Sequence, residues 1–190
     1  MQTSSIAVRS RLGAKKTKEH PLSGVRIAVK DIFQIEGIRL SVCNKAYYDF
    51  YPPSSQTASC IKILEEAGAT IVGTTKLASF AATEEPVECI DFQAPWNPRG
   101  DGYQSPAGSS SGSGAAVAAY PWLDIAIGSD STEYYFIFPL DSANSVIASG
   151  SGRRPGHWNG CFAMRPTHGS LPTEGYIPSF RYINSLASYN

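Results

Sequence analysis

The chain has 190 residues, and its 16 basic side chains match its 16 acidic ones, leaving no formal net charge. That balance excludes an electrostatic hold on nucleic acid or on an anionic membrane surface. With 42% hydrophobic and 17% charged residues it is a globular chain rather than a disordered one, long enough for one domain with a real core. Cys43, Cys60, Cys89 and Cys161 stand far apart with no CxxC or CxxH pair, so they read as reduced thiols rather than a disulfide frame or a zinc site. That places the protein in the cytoplasm. No metal or other cofactor is implied, and no apolar run is long enough to span a bilayer. The first residues carry Arg9, Arg11, Lys15, Lys16 and Lys18 without an acid. A mitochondrial presequence has that composition, but the apolar face is thin, and residues 1–20 are read as a solvated basic tail or linker.

The elements then alternate. Val25–Val29 is a β-branched run that predicts a buried strand. Over Ser54–Ala67 the residues Ala58, Ile61, Leu64 and Ala67 fall at helical spacing, and Gly68 follows as a C-terminal cap. Thr70–Val72 predicts a second strand. Residues 81–107 are irregular, broken by Pro86, Pro95, Pro98 and Pro106. Gly112–Tyr120 is an alanine-rich helix and Leu123–Ile127 a third short strand. This order predicts an α/β fold with a mixed, largely parallel sheet flanked by helices.

Three places carry chemistry. The first is the lysine of Ala28-Val29-Lys30-Asp31, at the end of a buried strand. Loss of hydration there lowers a lysine pKa and makes a neutral base; a lysine that leaves the sheet edge and reaches water would instead stay an ordinary cation. The second is Gly108-Ser109-Ser110-Ser111-Gly112-Ser113-Gly114, a polar loop feeding the N-terminus of the alanine-rich helix. Gly/Ser runs also make plain linkers. The third is Gly128-Ser129-Asp130-Ser131-Thr132, taken up again at Gly150-Ser151-Gly152-Arg153-Arg154-Pro155.

At these residues the sequence resembles the amidase signature family, over roughly Pro21 to Pro178. The segment GVRIAVKDIFQIEGI is similar to the family's lysine segment, and NPRGDGYQSPAGSSSGSGAAVAA to its serine- and glycine-rich signature. EEAGATIVGTTKLASFA is similar to the segment that usually ends in a GKTN motif, with Lys76 in place of the usual Asn. GSDST…GSGRRP and CFAMRPTHG are similar to its nucleophile loop and the segment after it. The resemblance implies an incomplete amidase-signature core and a hydrolase cleaving carboxylic amide C–N bonds of small molecules through a serine acyl-enzyme. It implies a Ser–cis-Ser–Lys triad with base Lys30, bridging Ser109 and nucleophile Ser151. Oxyanion donors fall on the backbone of Ser131, Thr132 and Gly150, and supporting roles on Asp130, Ser110 and Arg153. The chemistry is coherent without histidine. A neutral lysine takes the proton of the nucleophile through a second serine, and fixed N–H groups hold the oxyanion.

The chain departs from the family in two places. Glu133–Ser149, EYYFIFPLDSANSVIAS, separates Thr132 from Gly150. Its aromatic, β-prone and uncharged start, Tyr134–Leu140, is aggregation-prone in composition. The family also continues well past Pro178, whereas RYINSLASYN has no family resemblance. Residues 21–178 are therefore read as the N-terminal part of an amidase-signature domain, with 133–149 a non-family insert and 179–190 a non-family tail. Both foreign stretches are read as retained non-coding sequence, and the chain as it stands as catalytically impaired or, alternatively, as an inactive fragment with no independent function. A misplacement of ~1 Å costs about a hundredfold in rate. Two other readings compete. Gly108-Ser109-Ser110-Ser111-Gly112 matches the GxSxG nucleophile elbow, with Ser110, Asp124 or Asp130, and His157 or His168 in the order of an α/β-hydrolase triad. An elbow needs a strand directly before it, and Gly100–Pro106 is not one. A phosphate cradle of the GxxxxGK[ST] type is absent.

Overall fold

The structure, a computed structural model, describes residues 5–82, 86–130, 150–167, 169–177 and 186–189. The segment 133–149, the candidate oxyanion residues Ser131 and Thr132, and His168 lie outside the described residues. Five strands make one mixed sheet. They are β1 (Arg26–Lys30), β2 (Thr70–Thr75), β3 (Ile125–Ser129), β4 (Ala163–Met164) and β5 (Leu186–Tyr189), in spatial order β2-β1-β3-β5-β4. The first three are mutually parallel, whereas β5 runs antiparallel to both β3 and β4. The predicted α/β class holds, and β5 falls within residues 179–190, the stretch expected from the sequence to be a tail outside the domain.

Strand β1 lies between β2 and β3, and its residues from Ile27 onward are buried. Coverage on both faces explains why it reads as a continuous apolar run instead of an alternating one. The two faces still differ. Ile27 and Val29 pack with Ile61, Phe33, Leu77 and Ile127 in the main core. Ala28 faces the other way, against Leu123, Ala126 and Ala116. Side chains alternate along a strand, so Lys30 points to the face of Ala28, where small residues let a helix approach.

The helices are α1 (Lys45–Phe50), α2 (Ser59–Glu66), α3 (Ser111–Ala119) and α4 (Arg153–Trp158). Helix α2 begins five residues later than its periodicity predicts and covers the Ile27/Val29 face through Ile61 and Leu64. It stops where the sequence says it should. Gly68 has φ +95°, Gly68 N–H donates to Glu65 O at 2.9 Å and Ala69 N–H to Leu64 O at 3.0 Å, a paired arrangement that closes the last turn.

Helix α3 lies on the other face and begins at Ser111, so half of the Gly/Ser run is helix and not loop. A Cβ on Gly112 would stand 2.5 Å from Lys76 N, and one on Gly114 would stand 2.8 Å from Pro155 O. These glycines are there for close approach to the chain leaving β2 and to α4, not for backbone freedom. Ser113 fastens the helix to the sheet, donating from Oγ to Ile127 O at 3.2 Å and meeting Thr75 Oγ1 at 2.9 Å. The basic N-terminal stretch is mostly exposed. Arg11 reaches Asp124 at 2.7 Å and the Trp122 carbonyl at 2.9 Å. Among the described residues no helix is long and apolar enough to cross a membrane.

Candidate active site

Lys30 and Ser129 are the last residues of the neighbouring parallel strands β1 and β3. The C-terminal edge of an open parallel sheet is where α/β proteins place their ligands. Alternation turns Lys30 toward α3, whose leading loop brings up Ser109 and Ser110. The Lys30 side chain is fully buried and does not reach water, which removes the reading of a lysine that escapes the sheet edge. Its Nζ donates to three hydroxyls: Ser109 Oγ at 2.8 Å, Ser110 Oγ at 2.9 Å and Ser129 Oγ at 2.7 Å. Burial pushes the Lys30 pKa down to about 7, against the smaller upward pull of Asp130 and the Cys43 thiol. A group balanced near neutrality is suited to giving and taking a proton.

The three serines of the loop differ. The Gly108–Ser109 peptide is cis, and the Ser109 carbonyl accepts the Ala78 N–H at 2.9 Å. Ser110 ties the loop to the strand edge. Its Oγ donates to Ser129 O at 3.1 Å and accepts from Ser129 N at 3.2 Å. Ser111 is buried without a hydrogen-bond partner for its hydroxyl among the described residues. Ser129 is the third contact of Lys30, and the sequence alone assigns it no role. Its only signal in the sequence is its place before Asp130 in the Gly-Ser-Asp motif.

The segment that begins at Gly150 comes to the same place. The Ser110 N–H donates to Ser151 O at 3.0 Å, so Ser151, partly exposed, sits beside the serine loop. Asp130 is fully buried and pairs with Arg153 through three donors: the backbone N at 3.1 Å, Nε at 2.9 Å and Nη2 at 3.3 Å. That pairing raises the Arg153 pKa. Gly150 packs against the Arg154 side chain, where a Cβ would collide with Cδ and Cγ.

Among the described residues the elbow arrangement does not form. The residues before Ser110 are not strand. Its hydroxyl is engaged by Lys30 and Ser129, while Asp124 serves Arg11 and the Arg26 N–H and Asp130 serves Arg153. His157 lies exposed in the last turn of α4. Lys76, at the position of the family's usual Asn, donates from Nζ to Gln93 O at 2.6 Å. Among the described residues no cluster of His, Cys, Asp and Glu could hold a metal ion.

A family model described as Amidase matches residues 2–133. The chain belongs to the amidase signature family. It is 35% identical over 167 residues to a subunit of the glutamyl-tRNA(Gln) amidotransferase of Saccharolobus solfataricus, an alignment that takes in 87% of this chain and 29% of that protein. Among solved structures it is similar to a vestigial protein complex that reveals the evolutionary origins of an s-triazine catabolic enzyme. That match has TM-score 0.74 and 30% identity, over 89% of this chain and 32% of the other. The glutamyl-tRNA(Gln) amidotransferase subunit from Thermotoga maritima is similar as well, with TM-score 0.69 and 26% identity over 92% and 33%. The chain thus spans about a third of the length of these relatives.

Proposed function

We propose that this chain carries the proton-relay half of an amide hydrolase, with Lys30 as base, Ser109 as bridge and Ser151 as nucleophile. The observation that carries the reading is the fully buried Lys30 amine 2.8 Å from Ser109 Oγ, with a pKa brought down to about 7. In the reaction, neutral Lys30 takes the hydroxyl proton of Ser109 as Ser109 takes that of Ser151. The Ser151 oxygen bonds to the amide carbon, and the carbonyl electron pair moves onto the oxyanion. Backbone N–H groups of Ser131, Thr132 and Gly150 are the proposed donors to it. On collapse the C–N bond breaks, and the leaving amine takes a proton back from Lys30 through Ser109. Water then enters by the same relay and releases the acid. The Asp130–Arg153 pair supports the loop that carries Ser151.

Residues 133–149 are proposed to interrupt this loop. The family match ending at residue 133 supports that, as does the direct Asp130–Arg153 contact across the segment. The substrate is a small-molecule amide and the setting cytoplasmic, both as proposals from family and composition. The test is labelling by a fluorophosphonate, a probe that needs only an activated serine, followed by mass mapping. The reading expects the label on Ser151, slowly in the chain as it stands and faster once Glu133–Ser149 is removed. Label on Ser110 instead would overturn it.

A further inference from the structure

Lys30 meets three hydroxyls, and the protons must be distributed among them. A charged lysine has three protons and no lone pair, whereas a neutral one has two protons and one lone pair. Three acceptors match the cation. In the neutral amine one of the three hydroxyls has to turn round and donate. Ser110 cannot do so. Its single proton goes to Ser129 O, and its two lone pairs receive Ser129 N–H and Lys30 Nζ. Ser109 Oγ and Ser129 Oγ have Lys30 as their hydrogen-bond partner and are both able to donate. If Ser129 donates, the lone pair of Lys30 is capped and Ser109 faces a proton it cannot use.

We infer that Ser129 is a positioning residue that, with Ser110, accepts the two protons of neutral Lys30 and so aims its lone pair at Ser109. The inference rests on the amide-hydrolase reading for its purpose, but its geometry does not involve Ser151. Ser129 is fixed for this role by the strand end and by its backbone N–H and carbonyl, both tied to Ser110. The charged and titratable groups that face Lys30 are Asp130 beyond the end of β3 and the Cys43 thiol from the loop after β1. Arg153 pairs with Asp130, and the loop leading into α3 presents the hydroxyls of Ser109 and Ser110.

The two serines therefore differ in what they do to the proton affinity of Lys30. Ser129 accepts from both forms, and its bond to the cation is the stronger because it is charge-assisted. Ser109 stabilises the cation as an acceptor and the neutral amine as a donor, so its effects largely offset. The experiment is a pH titration of Lys30 by carbon NMR of the lysine Cε in the full chain, with the signal assigned by its absence from Lys30→Met. Ser129→Ala is expected to weaken proton binding by about tenfold, the scale of one charge-assisted hydrogen bond. Ser109→Ala is expected to weaken it less, and Ser129→Thr to restore the wild-type midpoint. Should Ser129→Ala unfold, the near-isosteric pair Ser129→Thr and Ser129→Val gives the same comparison. A midpoint for Ser109→Ala that falls as far as that of Ser129→Ala, or equal midpoints for the Thr and Val variants, overturns the inference. No substrate is present in this titration. An unlabelled Ser151 thus contradicts the hydrolytic reading alone, and a wrong midpoint order contradicts the positioning role alone.

Discussion

Asp130 and Arg153 are joined by three hydrogen bonds, although 22 residues stand between them in the chain. The carboxylate is fully buried, and the guanidinium side chain is 45% exposed. A buried carboxylate that loses a guanidinium partner is costly. Arg153→Met is expected to destabilise the protein by about 2 kcal/mol, the scale of losing charge-assisted hydrogen bonds at a site that water partly reaches. Urea unfolding of variant and wild type checks this, and an unchanged midpoint contradicts it.

Two buried groups give stability a pH dependence of opposite sign. Burial lowers Lys30 from the ordinary 10.5 to about 7, so between these values the unfolded chain binds the extra proton and stability rises with pH. Burial raises Asp31 from 3.8 to about 6, against the bonds it accepts from the Ser41 N–H and hydroxyl. There the folded chain holds the extra proton, and stability falls as pH rises from about 4 to about 6. Lys30→Met should remove the rise above pH ~7, and Asp31→Asn the fall below pH ~6, read as wild-type minus variant unfolding free energies. A difference that stays flat across its window contradicts the burial of that group.

Gly112→Ala sets helix propensity against packing. The substitution favours an isolated helix by about 1 kcal/mol, yet the new Cβ would stand 2.5 Å from the Lys76 backbone nitrogen and 2.8 Å from its oxygen. Backbone cannot swing aside as a side chain can. A net loss of about 2 kcal/mol is expected, within the usual cost of overpacking. A stabilised variant in thermal unfolding would show that the close approach is not real.

Much of this was legible in the sequence because it is local. The β-branched run ending in Lys30 marks a buried strand, and Gly68 marks the end of α2 through its positive φ. The Ala-rich stretch marks α3. What could not be read is what depends on distant partners. Gly112 and Gly114 look like loop residues until Lys76 and Pro155 are set beside them. Ser129 is one serine among many until the register of β1 on β3 carries it to Lys30. Strand β5 pairs with β3 and β4 across long stretches of chain. Helices α1 and α4 have six residues each, too short for periodicity to show. The motif order, by contrast, led to the Lys30–Ser109 contact directly, because spacing in the family resemblance encodes a non-local arrangement that propensity does not.

The central claim is that Lys30 and Ser109 activate Ser151. The direct measurement is the rate of fluorophosphonate labelling at Ser151 in the chain lacking Glu133–Ser149, compared with its Lys30→Met, Ser109→Ala and double variants. The account predicts that each single change slows labelling by roughly a hundredfold or more, the scale of losing a proton-transfer group. The double change should add little, because the two residues act as one unit. Wild-type labelling rates at Ser151 in Lys30→Met, or slowing that multiplies in the double variant, would contradict it.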